Sequence, residues 1–142
     1  MPLALNTYLT FDGNCREAFE FYRSVFGGEF DTIDTFGNAP ADMPLPDDEK
    51  DRIMHVSLPI GSSILMGSDR ATGFGSPPVT GDNFSISISA ETREQCDALC
   101  AKLSEGGAVT MPLGEQFWGS YFGMCRDRFG INWMVSCPLS HD

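Results

Sequence analysis

The stretch Trp118-Gly119-Ser120-Tyr121-Phe122-Gly123-Met124-Cys125-Arg126-Asp127-Arg128-Phe129-Gly130-Ile131-Asn132-Trp133-Met134-Val135-Ser136-Cys137 reads as a β-hairpin. Residues 119–126 suit a first strand and residues 131–137 a second. Between them, Asp127-Arg128-Phe129-Gly130 has turn chemistry: Asp bonds nearby backbone, and Gly supplies positive φ. A four-residue turn sets the parity of the pair. It puts Gly119, Tyr121 and Gly123 on one face with Met134, and Trp133 on the other face, in the core. Two glycines around a Tyr leave room for a bound molecule beside a phenol; they equally permit strong sheet curvature. Trp118 precedes the first strand as a candidate lid.

Outward from this hairpin the chain shows an internal repeat. Residues 3–11 alternate as a strand, with Asn6 and Tyr8 on one face and Leu5, Leu9 and Phe11 on the other. Asn14, with Glu17 three residues on, reads as the N-cap of a helix ending near Phe26. Ala18, Phe19, Tyr22, Val25 and Phe26 form its apolar stripe, and Gly27-Gly28 stops it. Residues 29–36, 52–60 and 62–67 read as three more strands, with a long loop over 37–51. Residues 68–82 are rich in Gly, Pro and Ser and read as a connection. The order then starts again. Residues 83–90 form a strand, and Thr92 caps a helix with the stripe Cys96, Leu99, Cys100 and Leu103. Gly106-Gly107 stops that helix, residues 108–112 form a short strand, and the hairpin follows. Cys15-Arg16-Glu17 matches Thr92-Arg93-Glu94, 77 positions on, and the same offset carries Phe19 to Cys96 and Phe26 to Leu103. One helix and four strands leave one sheet face uncovered, and pairing two such modules buries it. The expected fold is α+β: one domain of two βαβββ modules, 3–67 and 83–138, joined by linker 68–82 and forming a curved mixed-sheet cup.

Composition narrows the function classes. The formal net charge is −11 with no basic stripe, which argues against nucleic acid and anionic membranes as partners. No apolar run reaches the ~18 residues of a membrane span. No secretory leader is apparent at the N-terminus, so a cytoplasmic location is expected. The five Cys are odd in number and form no C-x-x-C pair, and are read as buried reduced thiols. No G-x-S-x-G, phosphate loop or H-E-x-x-H occurs, so hydrolysis by an activated nucleophile and nucleotide chemistry have no motif.

With these elements in view, the chain resembles the vicinal-oxygen-chelate superfamily: glyoxalase I, extradiol dioxygenases, and fosfomycin- and bleomycin-resistance proteins. It is most similar to the PhnB-like branch. The likeness rests on Ala18-Phe19-Glu20-Phe21-Tyr22-Arg23-Ser24-Val25-Phe26-Gly27-Gly28, on Ile53-Met54-His55-Val56 with Ile64-Leu65-Met66-Gly67-Ser68-Asp69, and on residues 107–133. In metal-dependent members four strand positions supply His, Glu or Gln to one divalent ion. The resemblance puts those positions near Asn6, Met66, Ser85 and Met134; neither these nor the neighbours Leu65, Phe84, Ile86, Trp133 and Val135 are good ligands for Mg²⁺, Mn²⁺ or Zn²⁺. No cofactor is therefore expected; a metal-dependent lyase, isomerase or dioxygenase would need a non-standard site. Relatives labelled demethylubiquinone methyltransferases imply a methyl donor. Gly73-Phe74-Gly75 is a poor candidate for holding one, since it lies in a Pro-rich connection. Superfamily members commonly complete their cavities by pairing modules, which implies a homodimer.

Three residues are candidate acid–base groups: His55, Glu115 and Tyr121. His55 shares a face with Ser57 and Met66 if the following turn is even; the ordinary alternative is a structural histidine. Glu115 reads either as a solvated loop carboxylate or as one at a cavity mouth, with Gln116 as the alternative inward residue. Asn6, Tyr8, Ser57, Met66, Ser85, Trp118 and Met134 are candidate ligand contacts. The expected function is small-molecule binding, with or without turnover of an unknown substrate. The rival readings are a sequestering protein of the resistance type and a regulatory partner with a vestigial pocket.

Overall fold

The two periodic stretches become two βαβββ units in the computed structural model, which describes residues 3–38, 47–71 and 77–139. The chain divides into compact units between Val79 and Thr80, inside the stretch read as a connection. Gly73-Phe74-Gly75 and residues 39–46 of the long loop lie outside the described residues.

In the first unit, β1 (Thr7–Phe11) leads into α1 (Cys15–Phe26), then β2 (Thr32–Thr35), β3 (Ile53–Ile60) and β4 (Ser63–Asp69). The sheet order is β1-β4-β3-β2, with β1 parallel to β4 and the other pairs antiparallel. Most of the α1 stripe forms as its spacing predicts: Ala18, Phe19, Tyr22 and Val25 are buried, Cys15 joins them, and Phe26 is only half-buried. The helix packs on β3 and β4, where Val56, Leu58 and Leu65 are buried, and each fully buried large apolar side chain contributes about 1.5–3 kcal/mol. Gly67 is required here, because a Cβ would stand 2.6 Å from Phe19 Cε1. Two strands are shorter than their alternation suggests. Pairing of β1 with β4 begins only at Thr7, leaving Leu3 and Leu5 exposed ahead of it, and β2 spans only Thr32–Thr35.

The first helix is not capped as expected. Asn14 sits at φ −112, ψ 20, away from the extended backbone an N-cap side chain needs, and makes no capping bond. The buried Asp69 carboxylate, arriving from the end of β4, does the work instead. Its Oδ1 accepts from Gly13 N (2.8 Å) and Cys15 N (3.0 Å), and its Oδ2 from Ile53 N (2.9 Å). One side chain thus ties the start of α1 to β3 and β4.

The second unit repeats the plan with β5 (Ile86–Ser89), α2 (Arg93–Leu103), β6 (Ala108–Glu115), β7 (Ser120–Arg126) and β8 (Asn132–Pro138), in the order β5-β8-β7-β6. Thr92 caps α2 as predicted, its Oγ1 accepting from Gln95 N at 3.1 Å, while Gln95 Oε1 accepts from Glu91 N. Trp133, Val135, Cys125 and Cys137 on the sheet and Cys96, Cys100 and Leu103 on α2 form the core. β6 runs on to Glu115, past the expected end at Pro112. It is an edge strand with two register shifts, a position where proline is tolerated. β5 is shorter than predicted, and Phe84 lies ahead of it, 55 % exposed.

The decisive difference is in the hairpin. Arg126 pairs with Asn132, so the connection is Asp127-Arg128-Phe129-Gly130-Ile131, five residues rather than four. Asp127 N donates to Ile131 O and Gly130 N to Asp127 O, with Gly130 at φ 90. The Asp127 carboxylate organises the loop: Oδ1 accepts from Phe129 N and Ile131 N, and Oδ2 from Trp133 Nε1 at 2.8 Å. An odd loop reverses the parity drawn for an even one. Tyr121 pairs with Cys137, Gly123 with Val135 and Cys125 with Trp133, so Gly119-side parity places Tyr121 and Gly123 on the helix-covered face. Met124 pairs with Met134 on the other.

Candidate ligand-binding faces

Each sheet has one face under its helix and one face free of it, and the site candidates sort by face. On the helix-free face of the first sheet, register aligns Tyr8, Met66, Ser57 and Thr32 in one row. Beside it Thr10 stands opposite Ser68, and His55 opposite Asp34. The β3–β4 turn is the two residues Gly61-Ser62, an even number, which brings His55, Ser57 and Met66 together. The rings of Tyr8 and His55 stack at 5.8 Å and 29°, with the phenol oxygen 3.5 Å from His55 Nδ1. Ser57 is 5 % exposed. Asn6 precedes β1 and is exposed, outside the sheet.

On the helix-free face of the second sheet, Met111, Met124 and Met134 stand directly opposite one another across β6, β7 and β8, and Ser87 continues the row on β5. Phe122 lies on the same face, opposite Ser136 and Gly114. Its ring meets Trp118 edge-on at 5.8 Å, and Trp118 in turn meets Phe117 at 5.0 Å. Ser85 is half-buried just ahead of β5. Sequence reasoning missed Phe122 and Met124 because the hairpin loop is five residues and not four, and Met111 because nothing in the short β6 stretch marks its face. Asp34 was missed for want of any motif; only the β2–β3 register reveals it.

Tyr121 is a correction, and Glu115 is exposed, in keeping with the solvated reading of its carboxylate. Both lie on the α2 side, paired across β6 and β7. The Tyr121 hydroxyl donates to Asp97 Oδ1 at 2.6 Å, and Arg93 lies 4.9 Å over its ring while pairing with Glu115 Oε2 at 3.1 Å. The bond to Asp97 holds the Tyr121 phenol above its ordinary pKa, with burial a lesser cause. This group of four clasps α2 to the sheet edge. It does not share a face with Met134, and the alternative Gln116 turns its amide back to Gly114 O.

All five cysteines are buried free thiols. Burial pushes Cys96 and Cys125 up to about 12, helped by thiol–thiol hydrogen bonds within the pairs Cys96–Cys137 and Cys100–Cys125. Such thiols are packing groups, not nucleophiles. The donor set for a divalent ion is equally poor. Met66 and Met134 offer soft thioethers, Asn6 and Ser85 lie outside the strands, and no group of three or more His, Cys, Asp or Glu among the described residues could hold a metal ion.

Residues 4–135 match the family described as the Glyoxalase/Bleomycin resistance protein/Dioxygenase superfamily, and the chain belongs to it. Within that superfamily it falls in the PhnB-like branch. It is similar to protein PA1353 from Pseudomonas aeruginosa, with 42% identity over 98% of this chain and 100% of that one and a TM-score of 0.82. The structure described as a putative 3-demethylubiquinone-9 3-methyltransferase, PhnB protein, from Bacillus cereus is 25% identical, covering 95% and 99%, with a TM-score of 0.74. Protein YjdN of Escherichia coli (strain K12) is 30% identical over 94% of this chain and 95% of its own. No helix among the described residues is long and apolar enough to cross a membrane.

Proposed function

We propose that this chain is a small-molecule-binding member of the PhnB-like branch, using the helix-free sheet faces and no resident divalent ion. The observation that carries this reading is the contrast between the two faces of the second sheet. One is sealed by α2 over Trp133 and the cysteines; the other presents three methionines, Phe122 and the half-exposed Trp118. Thioethers and aromatic rings suit an apolar, partly aromatic ligand because both are polarisable and adapt to its shape. The first sheet adds a hydrogen-bonding face around His55 and Tyr8. Binding is favoured over acid–base turnover, since Glu115 and Tyr121 serve the α2 clasp and leave His55 as the remaining candidate of the three, as general base or ligand-orienting donor. The same reading includes a homodimer and a cytoplasmic location, the latter supported by the five free thiols.

A fluorescence screen with aromatic metabolites tests it, because Trp118 is half-exposed and Trp133 is buried. Saturable quenching that disappears in Trp118→Phe is expected. Quenching retained in that variant and lost in Trp133→Phe would sink the assignment to this face. One ion per chain by elemental analysis would overturn the metal-free part, and a monomeric mass by light scattering the dimer.

A further inference from the structure

The geometry points to the helix-free face of the first sheet as a site for an organic cation: an amine, amidine or guanidine, with Asp34 as its specificity determinant. Asp34 lies directly across from His55 in the β2–β3 register, on the side of Tyr8, Ser57 and Met66. The residue is half-buried, and among the described residues its carboxylate has no hydrogen bond and no ion pair. Three arginines of this unit are engaged elsewhere: Arg52 and Arg70 with Asp12, and Arg23 with Glu20 and Glu29. A carboxylate without a counter-charge gains one from a bound cation, through a charge-assisted hydrogen bond.

A second observation points the same way. The Ser57 hydroxyl is on the same face, in a residue only 5 % exposed, and has no hydrogen-bond partner among the described residues. It can accept from a ligand N–H that Asp34 also holds. Tyr8, 47 % exposed and stacked on His55, offers a ring face for the charge, and a cation over an aromatic face is attracted to its quadrupole. The two rows on this face contain a carboxylate, an imidazole, hydroxyls and a thioether, with no Lys or Arg. Formal charge over the chain is −11, which raises the local concentration of cations at the protein surface.

This assignment rests on the reading that helix-free faces bind small molecules, and the test separates the two. NMR titration of the full chain uses three probes of one shape: benzamidine, benzyl alcohol and benzoate. The ring signals of His55 and Tyr8 are read alongside the indole of Trp118; with two His and three Tyr in the chain these signals are assignable. Benzamidine is expected to shift His55 and Tyr8 saturably, and benzoate to leave them unmoved. Asp34→Asn is expected to weaken benzamidine about tenfold or more. Asp34→Glu, which keeps the charge, retains binding. Equal shifts from all three probes would overturn the cation assignment while leaving small-molecule binding intact, as would an unaltered affinity in Asp34→Asn. Shifts confined to Trp118 would do the same. No shift at either face with any probe would overturn both.

Discussion

Replacing Asp127 by Ala tests how the hairpin is held. The carboxylate accepts from Trp133 Nε1 at 2.8 Å, Phe129 N at 2.8 Å and Ile131 N at 3.1 Å. Trp133 is 1 % exposed, so its indole N–H would be stranded in the core, a loss of about 1–3 kcal/mol. The two turn amides are only part-buried and regain water, so each loses about 0.5–1.5 kcal/mol. The total is about 2–6 kcal/mol, a large share of the roughly 5–15 kcal/mol that holds a typical domain together. With a urea slope of about 2 kcal/mol/M, the midpoint falls by about 1–3 M. Urea unfolding followed by far-UV circular dichroism and tryptophan emission measures this directly. Asp127→Asn is expected to fall between wild type and Asp127→Ala, since its oxygen can serve the turn while its NH₂ confronts the indole donor. A midpoint lowered by less than about 0.5 M in Asp127→Ala would refute the reasoning, because water would then be serving all three donors as well as the carboxylate does.

Three further outcomes are expected. Tyr121→Phe should leave the affinity for small aromatic ligands unchanged, and a loss of about tenfold or more would return Tyr121 to the binding face. Gly107→Ala drives a Cβ into the Arg126 carbonyl oxygen and should destabilise by about 1–3 kcal/mol or more; an unchanged melting temperature would contradict the packing described. Folding raises the Cys96 and Cys125 thiols from 9.0 to about 12, so the folded state binds these protons more tightly than the unfolded chain. Their stabilisation is therefore full below pH 9 and is lost as pH rises towards 12. Melting temperatures in reductant between pH 7 and 11 should fall on the alkaline side, and less steeply in Cys125→Ser. Parallel profiles would count against it.

Elements with strong periodicity were legible in the residues. The stripe of α1, the Thr92 cap and the repeated βαβββ order follow from spacing and side-chain chemistry alone. Faces were less legible, because they depend on loop length and not on strand composition. The two-residue β3–β4 turn preserves the parity that groups His55 with Ser57 and Met66. In the second hairpin Ile131 is apolar and β-branched, and so reads as strand, yet it closes the loop by accepting from Asp127 N. That single residue exchanged Tyr121 for Phe122 and Met124 on the open face. The capping of α1 was illegible for another reason: Asp69 is 54 positions from Cys15, and nothing local marks it as the acceptor.

Those anchoring carboxylates also bear on the order in which the chain folds during synthesis. Asp127 gathers donors no more than six positions away, and Thr92 caps α2 from three positions away. The second unit can therefore close its hairpin and helix end as each leaves the ribosome. The first unit cannot: the start of α1 waits for Asp69, the last residue of β4. Late closure of distant contacts is slow because the loop entropy is lost before any contact compensates. The N-terminal half, although made first, is thus expected to complete its helix only when its own final strand has emerged.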